Sequence, residues 1–205
     1  MRTLVPFDAT SPKTRLGPLL DADERREFAG VMLSDVLSAL ASTPAEPVVL
    51  ATGPVEVPVP VEVDDRPLTE AVNAHLGPEP TAVVMADLAL ATPGSVERLF
   101  DPDAGVTLVP GRGGGTNALV ARDPAFHVDY HGASYRDHRQ IAESAGVSVA
   151  TVDSFRLSTD VDEPADLVEV LLHAPDGGAG SWLADRGLEV VVEDRDERVA
   201  ARRRP

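Results

Sequence analysis

Lysine occurs once in this chain, in the stretch Ser11-Pro12-Lys13-Thr14-Arg15-Leu16, and every other basic side chain is an arginine. Pro12 stiffens the approach, and Lys13, Thr14 and Arg15 present two cations and a hydroxyl just ahead of a helical pattern. A compact ammonium beside a planar guanidinium suits a polyphosphate. The G-x-x-x-x-G-K-[ST] spacing of a P-loop is missing, so the segment is read as a phosphate-facing loop or, failing that, as a solvated basic turn. Three further loops carry polar residues that packing does not explain. "VVMADLAL" ends an apolar run on Asp87, either a site for a hard cation such as Mg²⁺ or the cap of the next turn. "VPGRGGGTNAL" sets Gly115 after two other glycines and adds donors from Arg112, Thr116 and Asn117; a backbone this bare exposes amides to an anion. It misses the dinucleotide fingerprint, because Thr116 stands where the last glycine belongs. "RLSTDVDEPADL" offers Asp160 and Asp162, of which only one is expected to reach the site. Asp160 is the expected second metal ligand, Asp162 the fallback, and Asp162 with Glu163 and Pro164 is expected to begin the next helix.

Those loops need a scaffold, and the apolar pattern supplies one. "RTLVPF" (2–7), "PVVLAT" (47–52), "TAVVMADL" (81–88), "AGVTLVP" (104–110), "VSVATV" (147–152) and "LEVVVED" (188–194) read as strands. "VEVPVPVEV" (55–63) alternates valine with Glu and Pro and is at best an edge strand. Phe28, Met32, Val36 and Leu40 recur at helical spacing, with Asp21 and Glu24 in a D-x-x-E capping pattern before them. Further helices are expected over 67–76, from Thr92-Pro93, over about 133–145, and over 163–174 with Pro164 in the first turn. The tail "RDERVAARRRP" reads as frayed. Strands alternating with helices predict an α/β fold with a mainly parallel sheet and ligands at the strands' carboxyl ends. One domain over 1–205 is expected, its core about 1–174 and 175–205 an extension.

Composition narrows the function. A formal net charge of −16, spread along the chain, opposes nucleic-acid binding, which needs a basic face. The acidic surface suits a cytoplasm of very high ionic strength; codon bias in a high-GC genome gives the same preference for arginine over lysine. No apolar run approaches the roughly 18 to 20 residues of a membrane span. The start of the chain does not resemble a signal peptide, and with no cysteine a cytoplasmic location is expected. Cysteine and G-x-S-x-G nucleophiles are both missing, and His127 and His131 lie in a stretch read as strand or loop, where surface or structural roles outweigh ligation.

Together, "LVPF", "KTRLGPLLDADERREFAGVMLSDVL", "LTEAVNAHL", "MADLALATP", "GRGGGTNAL", "HGASYRDH" and "STDVDEPADL", in that order, resemble the 2-phospho-L-lactate guanylyltransferase family of deazaflavin-coenzyme (coenzyme F-420) biosynthesis. The resemblance implies a three-layer α/β sandwich related to the molybdenum-cofactor guanylyltransferases and the nucleotide-diphospho-sugar transferases. It implies a reaction of GTP with (2S)-2-phospholactate, with Mg²⁺ as cofactor, and a homodimer. Carried over, Lys13, Thr14 and Arg15 hold the GTP phosphates and Asn73 lies near the nucleoside. Asp87 and Asp160 bind the metal, and Thr116, Gly132 and Ser134, beside Arg112, Gly115 and Asn117, hold the acceptor. The chain departs from the family at Ala89, where proline is usual after "ADL", and in the proline-rich stretch "GPVEVPVPVEVDDRP". Other acceptors on the same fold (phosphoenolpyruvate, 3-phosphoglycerate, a sugar or molybdopterin phosphate) and a non-catalytic nucleotide-binding module stay open.

Overall fold

The computed structural model describes residues 1–193 and 198–204. Seven strands form one sheet in the order β3-β2-β1-β4-β6-β5-β7: β1 (Arg2–Phe7), β2 (Glu46–Ala51), β3 (Val61–Val63), β4 (Thr81–Val84), β5 (Val106–Pro110), β6 (Thr116–Ala121) and β7 (Val149–Thr151). All are parallel except β6, which runs antiparallel between β4 and β5. The 55–63 stretch contributes only the three-residue edge strand β3, as its prolines require.

Helices cover both faces, which is why the central strands are nearly continuous apolar runs. Alternate residues of each strand divide between them. Val5, Val49 and Val84 pack with Leu33, Val36 and Leu40 of α1 (Ala22–Ala41), with Val96 and Leu99 of α3 (Pro93–Phe100), and with Leu157 of the short α5 (Phe155–Ser158). Leu4, Val83 and Leu119 pack with Ala71 and Val72 of α2 (Leu68–His75) and Ala142 of α4 (Ser134–Ser144). Each such Leu or Val contributes roughly 1.5–3 kcal/mol by leaving water. The expected caps form. Asp21 accepts from the amides of Asp23 and Glu24 while Glu24 reaches back to the amide of Asp21, and Thr92 and Ser95 cap α3 reciprocally ahead of Pro93.

Several expectations need correction. "TNALVA" is strand β6, joined to β5 by a hairpin through Gly111–Gly115. The acid of "TAVVMADL" is not in the strand: β4 ends at Val84, and Asp87 stands on the turn beyond it. The helix expected from residue 163 is α6 (Asp166–His173); Pro164 precedes it, because Asp166 accepts from the amides of Asp162 and Glu163 and closes a turn there. Nor is the tail frayed where it is described. Arg198–Arg203 forms β9, antiparallel to β8 (Leu188–Glu193), with α7 (Gly178–Asp185) leading into the pair. Residues 194–197 and 205, expected as strand end and tail, lie outside the described residues. Leu188 and Ala201 of this ribbon pack with Leu16, Leu20, Phe28 and Met32, so the C-terminal segment buttresses the loop after β1. Among the described residues, no helix is long and apolar enough to cross a membrane.

Candidate active site

The sheet changes direction of growth at β1: β2 lies on one side and β4 on the other. Loops leaving the carboxyl ends of these neighbours diverge and open a crevice, the usual ligand position in such sheets. The loop after β1 is shaped by Asp8, whose Oδ1 accepts from the amides of Thr10 and Ser11 and from the Thr52 hydroxyl. Burial would raise the Asp8 pKa, but these donors hold it below the usual value. At the end of the loop Lys13 has φ 54° and ψ 41°, the only non-glycine residue with positive φ among those described. An L-residue there costs about 1–2 kcal/mol. The turn is held because Leu16, three residues on, is fully buried and its amide donates to the Lys13 carbonyl.

The strained backbone aims Lys13 inward. Its Nζ donates to Asp87 Oδ2 at 2.5 Å and to Asp162 Oδ1 at 2.8 Å, with 13% of the side chain exposed. Burial pushes the ammonium pKa down, but the two carboxylates more than offset this, so the net shift is upward and the lysine is charged. Arg15 reaches Asp162 at 3.1 Å and Glu163 at 3.2 Å from a much more exposed position. Asp162 is held below its usual pKa: burial acts upward and the Lys13 charge and hydrogen bond act downward more strongly. Asp160 is shifted upward, first by burial and then by the nearby Asp87 charge, and its Oδ1 accepts from Asn117 Nδ2 at 3.0 Å. Two acidic side chains thus clasp one buried cation, and Asp160 lies near enough to Asp87 to feel its charge.

Residues expected apart in role are therefore brought together. Lys13, Thr14, Arg15, Asp87 and Asp162 line one cleft of about 320 Å³, alongside Phe7, Asp8 and Met85. Asp162 does not begin a helix, as expected, but shares Lys13 with Asp87. A smaller adjoining hollow of about 210 Å³ shares Phe7, Asp8 and Met85 and extends the cleft to Thr52, Asp64, Arg66 and Leu68. Sequence reasoning did not single out these last residues; the signal was the run "DDRPL" directly after the edge strand.

The glycine-rich hairpin supplies a second group. The register slips where Val109 pairs with Ala118 and Pro110 with Thr116, leaving Asn117 as the extra residue of a bulge. Asn117 turns to Asp160 and the Leu157 carbonyl, whereas Thr116 meets α4. Gly111 permits this, since a Cβ there would stand 2.3 Å from Asn117 Oδ1. The Thr116 amide donates to Ser134 Oγ at 2.9 Å, and both residues are buried. Gly115 borders Ser134, and Gly132, with φ 55°, turns the chain into α4. Arg112 reaches Glu169 at 3.5 Å. Asn73 stands apart from both clefts: its amide bonds both backbone groups of Val128, at 2.9 and 2.8 Å. His138, which sequence reasoning did not single out, is fully buried against Thr116, and no local feature of the sequence marked it.

Whether the acidic group suits Mg²⁺ is testable on these atoms. Asp87 Oδ1 is buried and, among the described residues, has no hydrogen-bond partner. A buried carboxylate oxygen left so is costly unless a cation takes it. Asp87 with Asp160 gives the one or two carboxylates that Mg²⁺ uses when phosphates and waters complete its shell. The residues fit the ion.

Comparison with known proteins identifies the relatives of this chain. The family described as guanylyl transferase CofC like matches residues 1–204. The 2-phospho-L-lactate guanylyltransferases of Halomicrobium mukohataei and Haloferax volcanii are 61% and 58% identical, covering 95% and 93% of this chain and 96% and 94% of theirs. Among solved structures, a protein of Desulfovibrio desulfuricans G20 named for the nucleotide-diphospho-sugar transferases superposes with a TM-score of 0.76 at 15% identity, covering 90% of this chain and 94% of its own. A nucleotidyl transferase from Methanothermobacter gives 0.58 at 15% identity, covering 84% and 97%. At such identity the structural likeness concerns the fold, an α/β sandwich. With the sequence match running from Met1 to Arg204, and relatives above half identity along nearly their full length, the chain belongs to the guanylyl transferase CofC like family.

Proposed function

We propose that the chain transfers the guanylyl group of GTP to (2S)-2-phospholactate, giving (2S)-lactyl-2-diphospho-5′-guanosine and pyrophosphate, in coenzyme F-420 biosynthesis. The observation that carries this reading is the buried Lys13 ammonium clasped by Asp87 and Asp162 in the lining of a cleft of about 320 Å³, in a chain whose relatives bear that enzyme's name.

The acceptor phosphate is already an anionic nucleophile near neutral pH, so no side-chain base or covalent enzyme intermediate is needed. A phosphate oxygen of the acceptor attacks the α-phosphorus, the bond to the β-phosphate oxygen breaks, and pyrophosphate departs with that electron pair. The obstacle is the approach of two anions. Lys13 and Arg15 exchange a carboxylate for the β- and γ-phosphates, and Thr14 borders them. Asp87 and Asp160 hold Mg²⁺, which when bound supplies charge neutralisation at the triphosphate. The hollow bounded by Thr52, Asp64 and Leu68 takes the base, and Asn73 supports its surroundings through Val128. Thr116, Gly132 and Ser134 hold the acceptor from the α4 side, with Arg112, Gly115 and Asn117 adjoining. Positioning and fixed charge, rather than a titrating dyad, lower the barrier.

The test is an acceptor screen at high salt with GTP and Mg²⁺, read by pyrophosphate release and by mass of the product. ATP is the control nucleotide; phosphoenolpyruvate, 3-phosphoglycerate and a sugar phosphate are the competing acceptors. Phospholactate with GTP is expected to turn over fastest. Greater kcat/KM with another acid reassigns the acceptor, and tight GTP binding without any product makes the chain a nucleotide-binding module.

A further inference from the structure

The imidazole of His138 lies beneath the glycine-rich hairpin, wholly removed from solvent. Its Nε2 is 2.9 Å from the amide nitrogen of Asp129, and its Nδ1 is 2.9 Å from Thr116 Oγ1. A backbone amide can only donate, so Nε2 is the accepting nitrogen, the ring proton sits on Nδ1, and it is given to the threonine hydroxyl. The ring cannot rotate out of this arrangement. Tyr130 and Phe126 meet it edge to face at 5.1 and 5.9 Å. The two bonds from Asn73 to Val128 fix the segment that carries the Asp129 amide. Burial drives the pKa down to about 4, against the opposing charges of Asp129 and Asp137 and with His127 adding to the fall, so the ring is neutral at ordinary pH.

Polarity then passes outward. With a lone pair of Thr116 Oγ1 occupied by the Nδ1 proton, the hydroxyl's own proton cannot point back at the ring. The Thr116 amide does the same to Ser134 by donating to Oγ at 2.9 Å. Two neighbouring hydroxyls are thereby left as donors, each with an accepting side taken by a buried N–H. Paired hydroxyl donors suit a phosphate or carboxylate.

We propose that His138 is a positioning residue for the acceptor acid: by donating from Nδ1 to Thr116 it fixes that hydroxyl as a hydrogen-bond donor toward the substrate anion. This rests on the reading that Thr116 and Ser134 hold the acceptor, and the experiment separates the two.

Steady-state kinetics of the full chain at high salt compare the parent with His138→Asn, His138→Gln, Thr116→Val and the double variant His138→Gln/Thr116→Val. The Asn amide overlies Nδ1 and keeps the donor; the Gln amide overlies Nε2 and leaves Thr116 unheld. Expected are an acceptor KM within about threefold of the parent for Asn and raised about tenfold for Gln, one hydrogen bond's worth. GTP KM and kcat change little in either, and Thr116→Val alone matches the double variant. If Thr116→Val raises the acceptor KM and His138→Gln does not, the positioning role is overturned while the acceptor site stands. If Thr116→Val leaves the acceptor KM unchanged, the acceptor reading falls and this inference with it. Imidazole ¹⁵N NMR of the parent chain covers the case in which the Gln variant does not fold: protonation at Nδ1 supports the proposal, and protonation at Nε2 overturns it.

Discussion

Lys13 Nζ stands 2.5 Å from Asp87 Oδ2, joining the loop after β1 to the turn after β4 across the point where the sheet reverses its growth. The lysine holds this place with a left-handed backbone. Charge and conformation at one residue can be separated by experiment.

Lys13→Ala and Lys13→Gly should each lower kcat/KM by about 10³-fold or more, as loss of a fixed cation at a transferring phosphate does. Both leave Asp87 and Asp162 without their shared cation, so both should be less stable than the parent. Glycine tolerates positive φ, so the Gly variant should exceed the Ala variant in unfolding free energy by about 1 kcal/mol. Denaturant titration at high salt checks this, and equal stabilities remove the strain from the account.

Asp87→Asn should abolish Mg²⁺-dependent turnover, about 10³-fold, and shift any residual Mg²⁺ titration to higher concentration. Asp160→Asn should cost less, because Oδ1 remains to accept from Asn117. Equal losses, or activity retained in Asp87→Asn, place the ion on other ligands.

The pH dependence of stability carries a signature of His138. Its pKa falls from 6.5 to about 4 on folding, so the unfolded chain binds the extra proton first. The stabilisation is fully present above pH 6.5 and is lost as pH falls toward 4, by at most about 3 kcal/mol. Unfolding free energies of the parent and His138→Gln from pH 7.5 to 4.5 should show the steeper acid loss in the parent; parallel curves refute the buried neutral ring.

Ala201→Asp should destabilise the protein by about 2–4 kcal/mol, since the side chain enters a cluster with Leu16, Leu20 and Leu188. Arg203→Ala should cost under about 1 kcal/mol, although Arg203 reaches both Glu24 and the Leu19 carbonyl, because those contacts are solvated. Thermal melts of the two variants compare packing with surface charge in the same ribbon.

A net charge of −16 on 205 residues predicts self-repulsion that salt must screen. The melting temperature should rise steeply from dilute buffer to molar KCl. A salt-independent melt would leave the acidic composition to codon usage.

Local signals in the sequence were readable where one residue's chemistry decides the backbone. The Asp21–Glu24 box, Thr92 before Pro93 and the proline-broken edge strand needed no tertiary knowledge. The glycines of the hairpin read equally as a ligand loop and as a turn, so strand β6 was not expressed in local signals, although apolar runs on both sides also mark a β-turn-β unit. The pairing of Asp162 with Lys13 was not legible: two aspartates two residues apart give no sign of which one meets the lysine, and the turn closed by Asp166 sets Asp162 on the cleft. His138 was equally hidden. One histidine on a helix carries no sign of whether it faces solvent or a threonine from a strand 22 residues earlier.

The β8–β9 ribbon has a consequence in time. The loop bearing Lys13 is translated well before β8 and β9, yet its Leu16 and Leu20 rest on Leu188 and Ala201 of that ribbon. A nascent chain therefore carries a complete sheet order before its phosphate-facing loop is braced, and competence to bind nucleotide should switch on only once β9 has been made.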